Sequence, residues 1–385
     1  MLFKTKMFRI AVIGAGASGL STAYELQKKG FIVDIYEKEE ALGGLAGAVT
    51  LSKGRIDSFY HHLFKSDKYI LNFLKENNMQ SKVKFRKTIT GHIWDNNYYD
   101  ISNIPSLWKS KLLTNWGLVR LLLGGAVIKY IPSSEKLNNS LVYKINDNLF
   151  GKEASNKIWN PLLNYKFGKF AKLMPYSWLK TRIQDRTIEL GYIPNGFESI
   201  YDFLEKKINS SNGTIYKNYS VEEVKLEETS KKIIINNKKY DRIVLTTPPS
   251  INRKILRNLS YNSKPIKYLG ALCGIIEFNK RPIPSYWIGI ADTSNRNRYH
   301  YKDFLAAISY AELDEDWNKD GEPTWPLYLA AYCTKKQYQK LSSKEWENKL
   351  IKAALELNSL CGLELINEEN IINIRVTFAD YAQPI

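Results

Sequence analysis

The chain has 385 residues, 44% of them hydrophobic and 25% charged, with a formal net charge of +17. It is too long for one simple core and ordinary in composition, so two domains are expected and a disordered or fibrous chain is excluded. Cys273, Cys333 and Cys361 lie far apart with no CxxC pair, and His61, His62, His92 and His300 show no ligand spacing, so no disulfide framework and no metal site are expected.

Met1 to Phe8 is basic but lacks the apolar centre of a signal peptide, and is read as a disordered lead-in. Arg9 to Ile13 is a short β-branched run expected to be a strand buried on both faces. It stops at Gly14-Ala15-Gly16-Ala17-Ser18-Gly19, a complete GxGxxG. Leu20, Ala23 and Leu26 then recur at helical spacing, with Gly30 as the stop. Phe31 to Tyr36 is a second strand, ending on Glu37. Strand, glycine turn, helix, strand and acid in this order are what an adenine dinucleotide needs. Gly14 permits the turn, Gly16 lets backbone approach a pyrophosphate, and Gly19 lets the helix pack on the strand. The helix N-terminus faces the phosphates, and Glu37 can accept both ribose hydroxyls. No Arg stands beside that acid, which argues against a 2′-phosphate.

A second glycine pair follows in Leu42-Gly43-Gly44-Leu45, where backbone is expected close to the same ligand. Arg55 to Phe64 concentrates aromatic and imidazole groups. Its adjacent His61 and His62 should point to opposite faces of an extended segment. Ser66 or Asp67 is a candidate cap for a helix carrying Ile70, Leu71, Phe73 and Leu74. From Val83 to about Leu190 the pattern is one of aromatic-rich helices. Between Ile101 and Leu190 there are 14 Lys and Arg against 5 Asp and Glu, a local charge of +9. A solvated lysine-rich surface, a docking face for anionic lipid and steering of a phosphate-bearing substrate all fit that charge. No zinc finger or RNP motif points to nucleic acid.

The longest apolar run, Gly117 to Ile128, is interrupted by Arg120 and falls short of the roughly 20 residues of a spanning helix. A core or pocket-lining helix is expected, with shallow insertion into one leaflet as the alternative, since Trp108, Trp116 and Lys129 flank it. Lys166, Arg182 and Arg186 accompany apolar residues in IWNPLLNYKFG and WLKTRIQDR, where Arg offers a bidentate fork to an acidic group. Gly191 to Phe197 signals a turn, and a helix with Ile200, Phe203, Leu204 and Ile208 on one face follows. Strand-like runs are Thr214 to Leu226, Lys232 to Asn236, Asp241 to Thr246, Leu269 to Phe278, Pro326 to Cys333 and Ile371 to Phe378. Lys344 to Leu357 is an amphipathic helix.

Taken together, IAVIGAGASGLSTAYEL, EKEEALGGLAG, RIDSFYHHLF, WNPLLNYKFG, WLKTRIQDR, GYIPNGFESI and DRIVLTTPP resemble the flavin-dependent amine oxidase superfamily, which includes protoporphyrinogen oxidases and phytoene-desaturase-like enzymes. The likeness is greatest to bacterial NAD(P)/FAD-dependent oxidoreductases associated with polysaccharide or lipid biosynthesis. It implies an α/β fold, with a Rossmann-like FAD-binding domain of the glutathione reductase type 2 kind and a discontinuous α+β substrate domain. The expected boundaries are 1–60 and 191–260 for the FAD domain, and 61–190 and 261–378 for the substrate domain. Residues 379–385 would start a truncated C-terminal FAD-binding segment, because relatives continue from there into a last strand and a glycine-led helix.

The resemblance places Gly14, Ala15, Gly16, Ala17, Ser18 and Gly19 on the FAD pyrophosphate and Glu37 with Lys38 at the adenosine ribose. Gly43, Gly44 and Leu45 lie beside the pyrophosphate and ribityl chain, Val221 at adenine, and Asp57 to His62 near the isoalloxazine. Ala41 and Leu45 stand where amine oxidases carry Arg (RxGGR), which points to the desaturase-like branch. The implied activity is FAD-dependent oxidation of a C–H or C–N bond in a small molecule that is anionic or lipid-linked. The enzyme would be cytoplasmic and in part peripheral to the inner face of the membrane. His61, His62, Lys166 and Arg182 are the catalytic candidates. Two alternatives stand: a sugar-nucleotide mutase, since His62 to Asp67 resembles the HIFHT-type stretch of UDP-galactopyranose mutases, and an inactive flavoprotein acting as a binding partner.

Overall fold

Two sheets of different construction divide the protein. The computed structural model describes residues 8–259, 261, 263–291 and 299–385. The basic lead-in therefore lies, apart from Phe8, outside the described residues.

The first sheet has four parallel strands in the order Thr214–Tyr216, Ile32–Tyr36, Arg9–Ile13 and Arg242–Leu245. Arg9–Ile13 lies centrally and is almost wholly buried, which is why it carries an unbroken apolar run rather than an alternating one. Helix Ala17–Lys28 buries Gly19, Leu20 and Ala23 against this sheet. It ends where Gly30 takes φ +85°. Helix Glu198–Ser210 packs beside it through Ile200, Tyr201, Leu204 and Ile208.

The second sheet has seven strands, in the order Ile371–Pro384, Tyr268–Phe278, Trp325–Cys333, Ala306–Ser309, Trp287–Ile290, Thr90–Trp94 and Asn97–Asp100. All neighbours are antiparallel except Trp287–Ile290 with Thr90–Trp94. Helix Ser343–Leu360 covers it with Trp346, Leu350, Ala353 and Leu357, and Gly274 leaves the room that Leu350 fills.

Four local expectations are corrected. The segment from Val83 to Leu190 does not begin with helices: Lys84–Lys87, Thr90–Trp94 and Asn97–Asp100 are strands. Asp95 and Asn96 both take positive φ and make the tight hairpin that joins the last two. The run from Thr214 to Leu226 is broken, because Asn218 turns the chain at φ +55° and only Thr214–Tyr216 joins the parallel sheet. The last strand does not stop at Phe378; it runs on to Pro384, which lies opposite Tyr268. Asp67 does precede helix Lys68–Glu76, but its carboxylate accepts from the Phe64 N–H at 2.7 Å instead of capping the helix.

Candidate active site and cofactor cleft

The Gly14 N–H donates to the Tyr36 carbonyl at 2.8 Å, which pins the glycine turn to the tip of the neighbouring strand. Gly14 adopts φ +98°, a conformation that side chains resist. A Cβ on Gly19 would overlap the Gly14 carbonyl oxygen, so only glycine lets the helix start directly over the strand end. That helix begins at Gly16 with no side-chain cap, and Ala17 and Ser18 are exposed. Across from it, the Gly43 N–H donates to the Ala15 carbonyl at 2.9 Å. The atoms nearest a Cβ built on Gly16 are Gly43 O at 3.9 Å and Gly44 Cα at 4.0 Å, both backbone. Two glycine backbones thus face each other, with exposed Leu45 beside them.

Glu37 turns into this space. Its Oε2 accepts from the Ala15 N–H at 2.7 Å and its Oε1 from the Glu39 N–H at 3.0 Å. Lys38 pairs with Glu39 at 2.8 Å on the surface. Val221 is buried in the same apolar cluster as Ile13 and Tyr36. A helix N-terminus without a side-chain cap, small residues around it and a carboxylate at the next strand end make a donor and acceptor set that fits a diphosphate and its ribose.

The segment from Asp57 to His62 is held between the start of helix Glu198–Ser210 and the seven-stranded sheet. Asp57 Oδ1 accepts from the Phe197 N–H at 3.0 Å, and its carbonyl accepts from the Tyr328 hydroxyl at 2.8 Å. Burial pushes the Asp57 carboxyl up to about 7, against the pull of the Phe197 N–H and with help from Glu198. Tyr60 meets the Tyr328 ring edge-on at 6.4 Å. The two imidazoles diverge: His61 packs on Phe197 at 5.9 Å, whereas His62 Nδ1 is 3.0 Å from the Tyr286 hydroxyl. Nδ1 of His61 is buried without a partner. Burial, then the charges of Arg186, His61 and Arg182, lower His62 to about 4, so it is neutral at pH 7.

Arg182 and Arg186 lie near His62, and Lys166 lies near Arg182. Lys166, 7% exposed, lies 3.4 Å from the Tyr332 hydroxyl and 4.8 Å over that ring. Burial, and after it the charge of Arg182, lowers Lys166 to about 7. Arg182 stacks over Trp178 at 4.8 Å and Arg186 over Trp287 at 6.0 Å. Burial first and Arg182 second hold Arg186 below its ordinary value. Both residues are nevertheless exposed to solvent. Among the described residues no carboxylate pairs with any of the three. Arg186 also lines a cavity of about 230 Å³ whose walls include Leu107, Leu121, Ile158, Leu162 and Trp287.

Of the residues singled out from sequence, His62, Lys166 and Arg182 converge, whereas His61 faces away toward Phe197. Tyr286 and Tyr332 join them with no local signal, since each reaches the site only through the sheet. Arg186, singled out from sequence with Lys166 and Arg182, stands two residues past the end of helix Tyr176–Gln184.

Comparison with known proteins gives consistent findings. A stretch of 62 residues is 37% identical to zeta-carotene desaturase of Capsicum annuum, covering 16% of this chain and 10% of that relative's length. An oxidoreductase from Methanosarcina mazei superposes with a TM-score of 0.70 at 15% identity, covering 97% of this chain and 88% of that one. Reduced UDP-galactopyranose mutase superposes with a TM-score of 0.69 at 16% identity, covering 98% and 84%. These two likenesses establish the fold: a mixed α/β architecture with a Rossmann-like FAD-binding part. The family model for flavin containing amine oxidoreductases matches residues 17–356, and the chain belongs to that family of FAD-dependent oxidoreductases.

Proposed function

We propose that this protein oxidises a C–H or C–N bond of a small molecule that joins an anionic group to an apolar body. The observation that carries this reading is the cluster of Lys166, Arg182 and Arg186, which no carboxylate among the described residues pairs with and of which Arg186 lines an apolar cavity. Lys166 is buried, a buried cation without a counter-ion is costly, and an anionic ligand relieves that cost.

FAD would be held by Gly14, Ala15, Gly16, Ala17, Ser18 and Gly19 at its diphosphate and by Gly43, Gly44 and Leu45 on the opposite side. Glu37 would take the ribose hydroxyls, with Lys38 at the rim and Val221 under the adenine. The FAD domain would be 1–60 with 191–260, and the substrate domain 61–190 with 261–378. What supports this division is that all four parallel strands fall in the former. When bound, FAD supplies the acceptor for a hydride or its equivalent. The chain's own part is positional. Lys166, Arg182 and Arg186 fix the anionic end by charge-assisted hydrogen bonds. Ile158, Leu162 and Trp287 exclude water from the apolar body. His62, kept neutral by burial and the neighbouring charges, hydrogen-bonds the Tyr286 hydroxyl and fixes its position.

The proposed place of action is a membrane surface reached from the cytoplasm. Its support is that Cys273, Cys333 and Cys361 are free thiols, and that large apolar side chains stand exposed on helix Asn115–Tyr130. Among the described residues no helix is long and apolar enough to cross a membrane.

Anaerobic mixing of the FAD-loaded protein with anion-bearing apolar compounds tests the reaction. Bleaching of the flavin by one of them, but not by its uncharged ester, is the expected result. A flavin that none of them bleaches counts against it. The cation cluster also suits a diphosphate, which supports a second reading as a sugar-nucleotide mutase. Turnover of a nucleotide sugar without net oxidation, and only with prereduced flavin, would decide for that reading.

A further inference from the structure

Helices Ile104–Ser110 and Asn115–Tyr130 carry apolar residues on two sides. Inward, Leu107 and Leu121 line the cavity, and Gly117, Leu118, Gly124 and Ile128 are buried. Outward, Trp116, Val119, Leu122, Leu123, Val127 and Tyr130 follow one another mostly at helical steps. All are exposed: Trp116 by 69%, Leu123 by 56% and Tyr130 by 76%. Ile104, Trp108 and Ile131 extend the patch, and a Trp108 Nε1 to Asn115 Oδ1 hydrogen bond of 3.1 Å ties the two helices together. Scattered apolar residues on a surface need no explanation, but nine large ones on two linked helices do.

The rim is basic. Lys109, Lys111 and Lys129 are exposed, with Lys111 Nζ 4.6 Å over the Trp108 ring and Lys129 Nζ 5.9 Å over Tyr130. No Asp or Glu occurs from residue 101 to residue 134.

We propose that this face docks on an anionic lipid bilayer, with the apolar side chains in the acyl boundary and the three lysines among the headgroups. The proposal rests on, and makes specific, the reading that the enzyme works at a membrane surface. Tryptophan and tyrosine beside lysine is the composition of a side chain layer that is apolar below and wet above. Charge selects the occupant. A second copy docked face to face would bring a second basic rim against the first, whereas anionic headgroups neutralise it. Because the same two helices wall the cavity, a docked protein holds its apolar chamber one helix thickness from the lipid. A lipid-linked substrate then has a short route in.

Cosedimentation of the full-length protein with phosphatidylcholine vesicles, with and without phosphatidylglycerol, reads the docking directly. Binding should rise with phosphatidylglycerol content and fall with salt. Each of Lys109→Gln, Lys111→Gln and Lys129→Gln should weaken it about five-fold. The double variant Trp116→Glu/Leu123→Glu should lose it by at least about ten-fold while keeping the wild-type circular dichroism and melting temperature. Trp116→Ala/Leu123→Ala, which adds no charge, should show a smaller loss in the same direction. Equal binding to neutral and anionic vesicles overturns the proposal, as does a glutamate variant that sediments like wild type. A wild-type dimer that the glutamate variant dissolves, with no vesicle binding by either, overturns it in favour of self-association. Flavin absorbance of the same samples tests the oxidoreductase reading separately.

Discussion

Replacing Gly19 with alanine adds a single methyl group where the chain has no space for it. That Cβ would overlap the Gly14 carbonyl oxygen and come 2.9 Å from both the Gly14 carbonyl carbon and Thr246 Oγ1. Two of those three atoms are backbone. The third is held by hydrogen bonds from Thr246 Oγ1 to the carbonyls of Ile13 at 2.8 Å and Gly14 at 3.1 Å. No side chain can therefore swing aside, and the helix start must lift off the strand end by roughly 1 Å or more. Overpacking of this kind costs about 1–3 kcal/mol. The larger consequence is for the ligand, because the shift moves the helix N-terminus away from the diphosphate. A ligand present at about 100 times its Kd stabilises a protein by ~2.7 kcal/mol. Melting curves with and without added FAD read both effects. Wild type should melt higher with FAD, and Gly19→Ala should melt lower than wild type and lose most of the FAD-dependent rise. A Gly19→Ala protein that keeps full flavin content and the full FAD-dependent rise would refute the reasoning.

The site carries two further consequences for pH. Lys166 is lowered from 10.5 to about 7, so between those values the unfolded chain binds the extra proton and this group's contribution to stability rises with pH. The penalty below pH 7 is on the order of 5 kcal/mol at 1.36 kcal/mol per pKa unit. Lys166→Met should raise the melting temperature at pH 7 and flatten its pH dependence between 7 and 10.5, and a variant less stable than wild type with the slope intact would contradict this. For the same reason KM for an anionic substrate should rise above pH 7 in wild type and not in Lys166→Met, as steady-state kinetics across that range would show. Asp57 behaves in the opposite sense. Its folded value of about 7 exceeds its unfolded 3.8, so its contribution is fully present below 3.8 and is lost as pH rises through about 7. Asp57→Asn, which keeps an acceptor for the Phe197 N–H, should be at least as stable as wild type at pH 8 and should lose that slope in a pH series of thermal melts.

The opening strand, glycine turn, helix and acid were legible because each obeys a local rule. Burial on both faces demands a continuous apolar strand, a positive φ demands glycine at Gly14, and close packing demands it at Gly19. The amphipathic helix Ser343–Leu360 was legible for the same reason, with Trp346, Leu350, Ala353 and Leu357 at helical spacing. The strands Thr90–Trp94 and Asn97–Asp100 were not, although Asp95-Asn96 is a turn pair with two positive φ angles. Their alternation is short, and aromatic residues dominate both helices and strands in that region. Tyr286 and Tyr332 could not be found at all. They meet His62 and Lys166 only through long-range sheet pairing, which no local pattern encodes. Helix Asn115–Tyr130 was half legible. Its sequence is apolar nearly all round, so periodicity could not say which side would be buried, and in the structure one side walls a cavity while the other meets solvent.

The central claim is that the glycine cleft holds FAD. An absorption spectrum of the purified protein, followed by identification of what heat releases from it, tests that claim most directly. The expected result is a flavin spectrum with FAD released in near-stoichiometric amount. A colourless protein that takes up no added FAD would contradict it.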